Sequence, residues 1–195
     1  PSEVEVIADE SANPAFIAAD FLSQAEHGVD SQAMLVTASE SIVEPVMQAI
    51  REQLDRLPRK EITEKSLSHS RLIVLKDKQE VIDFTNLYAP EHLIIQTTDY
   101  ADIAGQVENA GSVFMGPYTP ESAGDYASGT NHTLPTNGYA KAYSGVNLDS
   151  FIKKITFQEI TADGIRLLGG TIRTMAANEQ LDAHRNAVTI RLNTI

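Results

Sequence analysis

Five short apolar runs, at residues 4–8, 33–37, 72–75, 93–96 and 113–115, alternate along this chain with stretches of helical periodicity. A strand–helix–strand alternation of this kind predicts a largely parallel sheet covered by helices, so the fold class is α/β. The punctuation supports the helices. Asn13 suits an N-cap, Pro14 the first helical position and Gly28 a left-handed C-terminal cap, which predicts a helix over 14–27. Further helices are expected over 42–57, ended by Pro58, over 78–88, and over 100–109, stopped by Gly111. Residues 116–145 are rich in Gly, Pro, Ser, Thr, Asn and Tyr and read as one long loop, a length that compact domains keep for function. Beyond Asp149 the pattern is helical through Ala176, and residues 187–192 alternate like a strand, so the C-terminal part is expected to be a separate small unit.

Composition narrows the partners. A net charge of -12 argues against nucleic acid and anionic membrane, which both require a basic surface, and favours a small and cationic ligand. Without cysteine there is neither a disulfide framework nor a thiolate metal site, so a bound transition metal must use imidazole, carboxylate or amide ligands, and a reducing, cytoplasmic setting is expected. No run reaches the roughly 18 apolar residues of a bilayer span, and no signal peptide is recognisable. The sequence starts at Pro1 and enters a strand within three residues, as a piece of a longer chain would.

Candidate chemistry is concentrated in four places. In Tyr88-Ala89-Pro90-Glu91-His92-Leu93 the proline ends the preceding helix and leaves a carboxylate and an imidazole at a strand entrance, a pairing suited to general acid/base work. Gln24 and His27 share one helix face near its negative end, where the plain reading is a histidine against the helix dipole and the sharper one a metal ligand. Asp125 and His132 flank Gly129 in the long loop, as turn residues or as ligand contacts. Glu179 and His184 lie near the C-terminus, where surface charge is the plain reading, and His69 is read as solvated.

Five segments then carry a family resemblance: Ser23-Gln24-Ala25-Glu26-His27-Gly28, Tyr88 to Leu93, Asn109-Ala110-Gly111-Ser112-Val113-Phe114, Gly124-Asp125-Tyr126 with Asn131-His132, and Leu181-Asp182-Ala183-His184-Arg185-Asn186-Ala187-Val188. In order and spacing they resemble histidinol dehydrogenase, whose members oxidise L-histidinol through the aldehyde to L-histidine with two NAD. The resemblance implies a zinc ion held by Gln24, His27, Asp125 and His184. It implies Glu91 as the base for water attack on the aldehyde and His92 as the proton shuttle. Substrate contacts would come from Ser2, His132 and Glu179 together with His92 and the zinc ligands. It further implies an incomplete Rossmann-like domain over 1–146, and a small C-terminal domain over 147–195 that completes the partner's active site in a homodimer. Members are about twice as long, so this chain resembles their C-terminal half. Their NAD contacts lie mainly in the other half, and no Gly-x-Gly-x-x-Gly loop replaces them here. The chain alone is therefore expected not to turn over. A catalytically idle metal-binding or assembly module of the same family is the alternative.

Overall fold

The computed structural model describes residues 2–195. Five strands, β1 (Glu3–Ala8), β2 (Gln32–Thr37), β3 (Arg71–Val74), β4 (His92–Gln96) and β5 (Ser112–Met115), form one sheet in the order β3-β2-β1-β4-β5, with every neighbouring pair parallel. The chain starts at the centre, steps outward through β2 and β3, then crosses back to lay β4 against the other side of β1. This is an incomplete Rossmann-like α/β sheet.

Side-chain alternation sends Val4, Val6, Leu35 and Ile94 to one face, against Ile17 and Phe21 of α1 (Pro14–Ala25) and Val46 and Ile50 of α2 (Val43–Leu54). Ile7, Met34, Val36, Leu93 and Ile95 face the opposite way, toward α4 (Lys78–Tyr88) and α5 (Tyr100–Ala104). Burial on both faces explains why these strands read as continuous apolar runs. Each such side chain contributes about 1.5–3 kcal/mol. The expected cap of α1 is present, with Ala15 N donating to Asn13 Oδ1 at 2.9 Å. Helix α4 ends at Ala89 in the left-handed region (φ 57, ψ 66), because Pro90 disfavours a right-handed helical residue before it.

Two compact units divide the chain, the first running to Phe151 and the second spanning Ile152–Ile195. The second pairs α7 (Ala162–Asn178) with α8 (Asp182–Leu192) and buries Ala176 and Val188. No helix among the described residues is long and apolar enough to cross a membrane.

Several expectations are corrected. Residues 187–192 are helical, not a strand: Val188 and Leu192 are four apart, and Leu192 packs over Gly169 of α7, so the run that alternates on paper also forms one helix face. The helical stretch expected from Asp149 begins only at Ala162, after Thr161 caps it. Helix α1 ends at Ala25, with Glu26 as a right-handed cap, and Gly28 keeps a negative φ within an ordinary turn. The region of 42–57 is a short 3-10 turn plus α2, and α3 (Lys60–Leu67) follows unannounced after Pro58. Helix α5 stops at Ala104, short of 109, and the long loop contains α6 (Glu121–Tyr126).

Candidate functional site

Parallel pairing of Val4 with His92 brings the start of β1 alongside the Glu91-His92 step at the amino edge of the sheet. Glu91 is held there by hydrogen bonds. Its Oε2 accepts from Ser2 Oγ at 2.9 Å and from the Glu3 backbone N–H at 2.8 Å. The Glu3 carbonyl in turn lies 3.0 Å from His92 Nδ1, so a neutral ring carries its proton on Nδ1 and keeps a lone pair on Nε2. That Nε2 is buried and has no hydrogen-bond partner among the described residues. Behind the pair, Gly111 presses so close that a Cβ there would stand 2.5 Å from the Glu91 carbonyl oxygen.

Helix α1 delivers two further groups to the same place. Gln24, fully buried in its last turn, reaches Glu121 and Ser2: with its amide nitrogen toward Glu121 it donates to both carboxylate oxygens at 3.0 and 3.1 Å, while its oxygen lies 2.8 Å from Ser2 Oγ, whose one proton Glu91 and Gln24 share as alternative acceptors. His27 projects just past the helix end, where the carbonyl dipoles favour a cation. Helix α6 presents Glu121 and Asp125 four residues apart on one face. Ligand atoms of His27, Glu121 and Asp125 all lie within 4.8 Å of one another, and Glu121 Oε1 is 3.9 Å from His92 Nε2.

Burial, reinforced by the neighbouring carboxylates of Asp125, Glu91 and Asp20, pushes Glu121 up to about 8. Three carboxylates facing one another with an imidazole and an amide are a set that a divalent cation of the zinc type fits, since it takes N and O ligands and relieves their mutual repulsion. A dinucleotide diphosphate does not fit this chain's first strand–helix turn. There Asp9 and Glu10 replace the glycine loop, and Asn13 and Pro14 already occupy the helix start.

Ser2, Gln24, His27, Glu91, His92 and Asp125 thus converge. His132 lies exposed in the loop after α6, and His69 is exposed beyond α3. Glu179, the cap of α7, and His184, in the first turn of α8, are exposed residues of the second unit. Sequence reasoning missed Glu121, whose signal was its i,i+4 spacing to Asp125, hidden because the segment read as loop.

The family model described as histidinol dehydrogenase matches residues 1–192. The chain is 68% identical over all 195 residues to histidinol dehydrogenase of Bacteroides fragilis (strain YCH46), covering 46% of that protein. It is 58% identical to the chloroplastic histidinol dehydrogenase of Arabidopsis thaliana, covering 42% of it. A crystal structure of histidinol dehydrogenase from Elizabethkingia anophelis superposes with a TM-score of 0.94 at 56% identity, over 100% of this chain and 45% of that one. The chain therefore spans a little under half the length of these relatives.

Proposed function

The chain belongs to the histidinol dehydrogenase family, and from that premise we propose that it is the C-terminal half of an enzyme that oxidises L-histidinol to L-histidine with NAD. The observation that carries this reading is the unpartnered His92 Nε2 facing the His27, Glu121 and Asp125 cluster across the buried amino edge.

In this reading Gln24, His27 and Asp125 hold a zinc ion, and His184 completes the set from the C-terminal unit of a second copy. Bound zinc supplies a charged anchor that orients the imidazole and amino groups of the substrate. The chain's own groups manage protons. His92 Nε2 takes the proton of the substrate hydroxyl as a hydride passes from the carbon to NAD, and the Glu3 carbonyl steadies the resulting imidazolium through Nδ1–H. Glu91, fixed by Ser2 and the Glu3 N–H, accepts the proton of the water that attacks the aldehyde stage. His132 and Glu179 bind the substrate. Because Asp9 and Glu10 stand where a diphosphate would rest, the NAD contacts belong to the remainder of the polypeptide, and the isolated chain does not turn over.

Calorimetric titration of L-histidinol into the purified chain tests this. Binding is expected with zinc present and lost once zinc is stripped by a chelator. Equal binding in both states contradicts the zinc assignment. Absence of binding in either state, or binding without any catalysis when the full-length polypeptide is supplied with NAD, favours an idle metal-binding module. The family membership and the acid/base seat of Glu91 and His92 support the enzyme.

A further inference from the structure

We propose that Glu5, in the middle of β1, is carried as a neutral carboxylic acid that donates its proton to Thr85 of α4, forming a proton-dependent lock between the two elements that seat Glu91.

Thr85 Oγ1 contacts Glu5 Oε1 and also lies 2.9 Å from the Val81 carbonyl oxygen, one turn back in α4. A threonine hydroxyl owns one proton, and a carbonyl oxygen can only accept. If Glu5 is ionised, a single proton has to serve two acceptors. If Glu5 is the acid, it donates to Thr85, Thr85 donates to Val81, and every group in the chain is satisfied. The second carboxyl oxygen points the same way. Oε2 has no partner among the described residues, which is tolerable for an uncharged carbonyl oxygen and costly for a full anion.

The surroundings offer nothing to hold a negative charge. Glu5 is fully buried, flanked in the sheet by Met34 of β2 and Leu93 of β4, and no cationic side chain pairs with it among the described residues. The titratable groups around it are acidic or neutral: Tyr88 on α4, whose phenol stays protonated beside Glu5, Glu3 and Glu91, with Glu3 on Glu5's own strand and Glu91 ahead of β4; β2 contributes none. Burial pushes the Glu5 carboxyl up to about 8, with the Thr85 contact acting in the opposite direction.

The location gives the lock its consequence. Two residues before Glu5 on the same strand, the Glu3 N–H and carbonyl hold Glu91 and His92. Four residues beyond Thr85, α4 closes at Ala89 and leads directly into Pro90 and Glu91. Glu5 and Thr85 therefore fasten the strand that grips Glu91 to the helix that delivers it.

Carbon-13 NMR of the chain labelled at glutamate side-chain carboxyls reads the proton directly. At pH 6 Glu5 and Glu121 are both expected in the protonated range, and of their carboxyl resonances the Glu5 one vanishes in Glu5→Gln and shifts in Thr85→Val. A Glu5 resonance in the ionised range at pH 6 overturns the proposal. Folding equilibria give a second reading. An acid whose folded pKa exceeds its unfolded value of 4.5 favours folding fully below that value, and the benefit declines as pH rises to the folded pKa. The folding constant of the wild type relative to Glu5→Gln is thus expected to fall by up to tenfold per pH unit between about 5 and 8 and to level off above. A ratio independent of pH across that window also overturns it. Should Glu5→Gln fail to fold, the Thr85→Val shift at pH 6 decides alone: a resonance in the protonated range that it moves supports the lock, and no such resonance refutes it.

Discussion

At the scale of single residues, the seat of Glu91 depends on backbone more than on charge. Gly111 N donates to the Pro90 carbonyl at 2.9 Å and Ser112 N to that of Glu91 at 3.0 Å, which draws β5 tight against the step. A methyl at 111 collides with main chain, which cannot rotate away, so Gly111→Ala is expected to cost about 1–3 kcal/mol in chemical denaturation and to displace Glu91. Gly105→Ala, whose nearest atoms would be 3.5 Å away, is the near-neutral control. Asp20 makes a separable case. Burial pushes it up to about 7 against the hydrogen bond from Gln96 Nε2 at 2.8 Å. Its folded pKa lies above the unfolded 3.8, so its contribution is complete below about pH 4 and lost by about pH 7. The stability difference between the wild type and Asp20→Asn should therefore decline across that window, by at most about 1.4 kcal/mol per pH unit, and be flat above it.

At the scale of elements, what was legible in the sequence was what local chemistry alone determines. The five strands were found within a residue of their bounds because buried parallel strands are continuously apolar, and α4 was found in full because Pro90 closes it, while its Asp77 cap went unread. What failed depends on partners distant in sequence. Residues 187–192 suit a strand or a helix, and only packing on α7 decides. Helix α6 is too short to show a period, so Glu121 went unseen although its neighbour Asp125 was singled out. That Gln24, His27 and Asp125 meet was likewise invisible to spacing, since α1 and α6 are about a hundred residues apart and only the sheet brings them together. The α7 glycines give an element-scale test. A Cβ at Gly170 meets nothing within 4 Å, so Gly170→Ala should raise stability by about 0.5–1 kcal/mol through helix propensity. At Gly169 the same methyl would lie 2.7 Å from Leu192 Cδ1, so Gly169→Ala should gain less or lose, by thermal melts of the two variants side by side.

At the scale of the whole molecule, the first unit holds Glu91 and His92 together with Gln24, His27, Glu121 and Asp125, while the second holds Glu179 and His184. In the proposed arrangement these units serve different copies, so the metal site and the sheet have different requirements. The sheet's core, with Val4, Leu35, Ile94 and Phe21 at its centre, draws on residues before 152. Ending the chain after Phe151 should therefore leave the α/β unit folded, with the circular dichroism of a helix-covered sheet. Zinc affinity should fall by more than the about 10–100-fold that losing a supporting contact to a metal ligand costs, because a direct ligand is lost. Restoring the second unit by mixing the truncated chain with a full-length copy bearing His27→Ala separates the two possible donors. Recovery of zinc binding in the mixture means that His184 acts across copies, since the truncated chain supplies only its own Gln24, His27 and Asp125. Unchanged affinity in the truncated chain alone would instead mean that Gln24, His27, Glu121 and Asp125 hold the ion without help, and His184 would lose its place in the site.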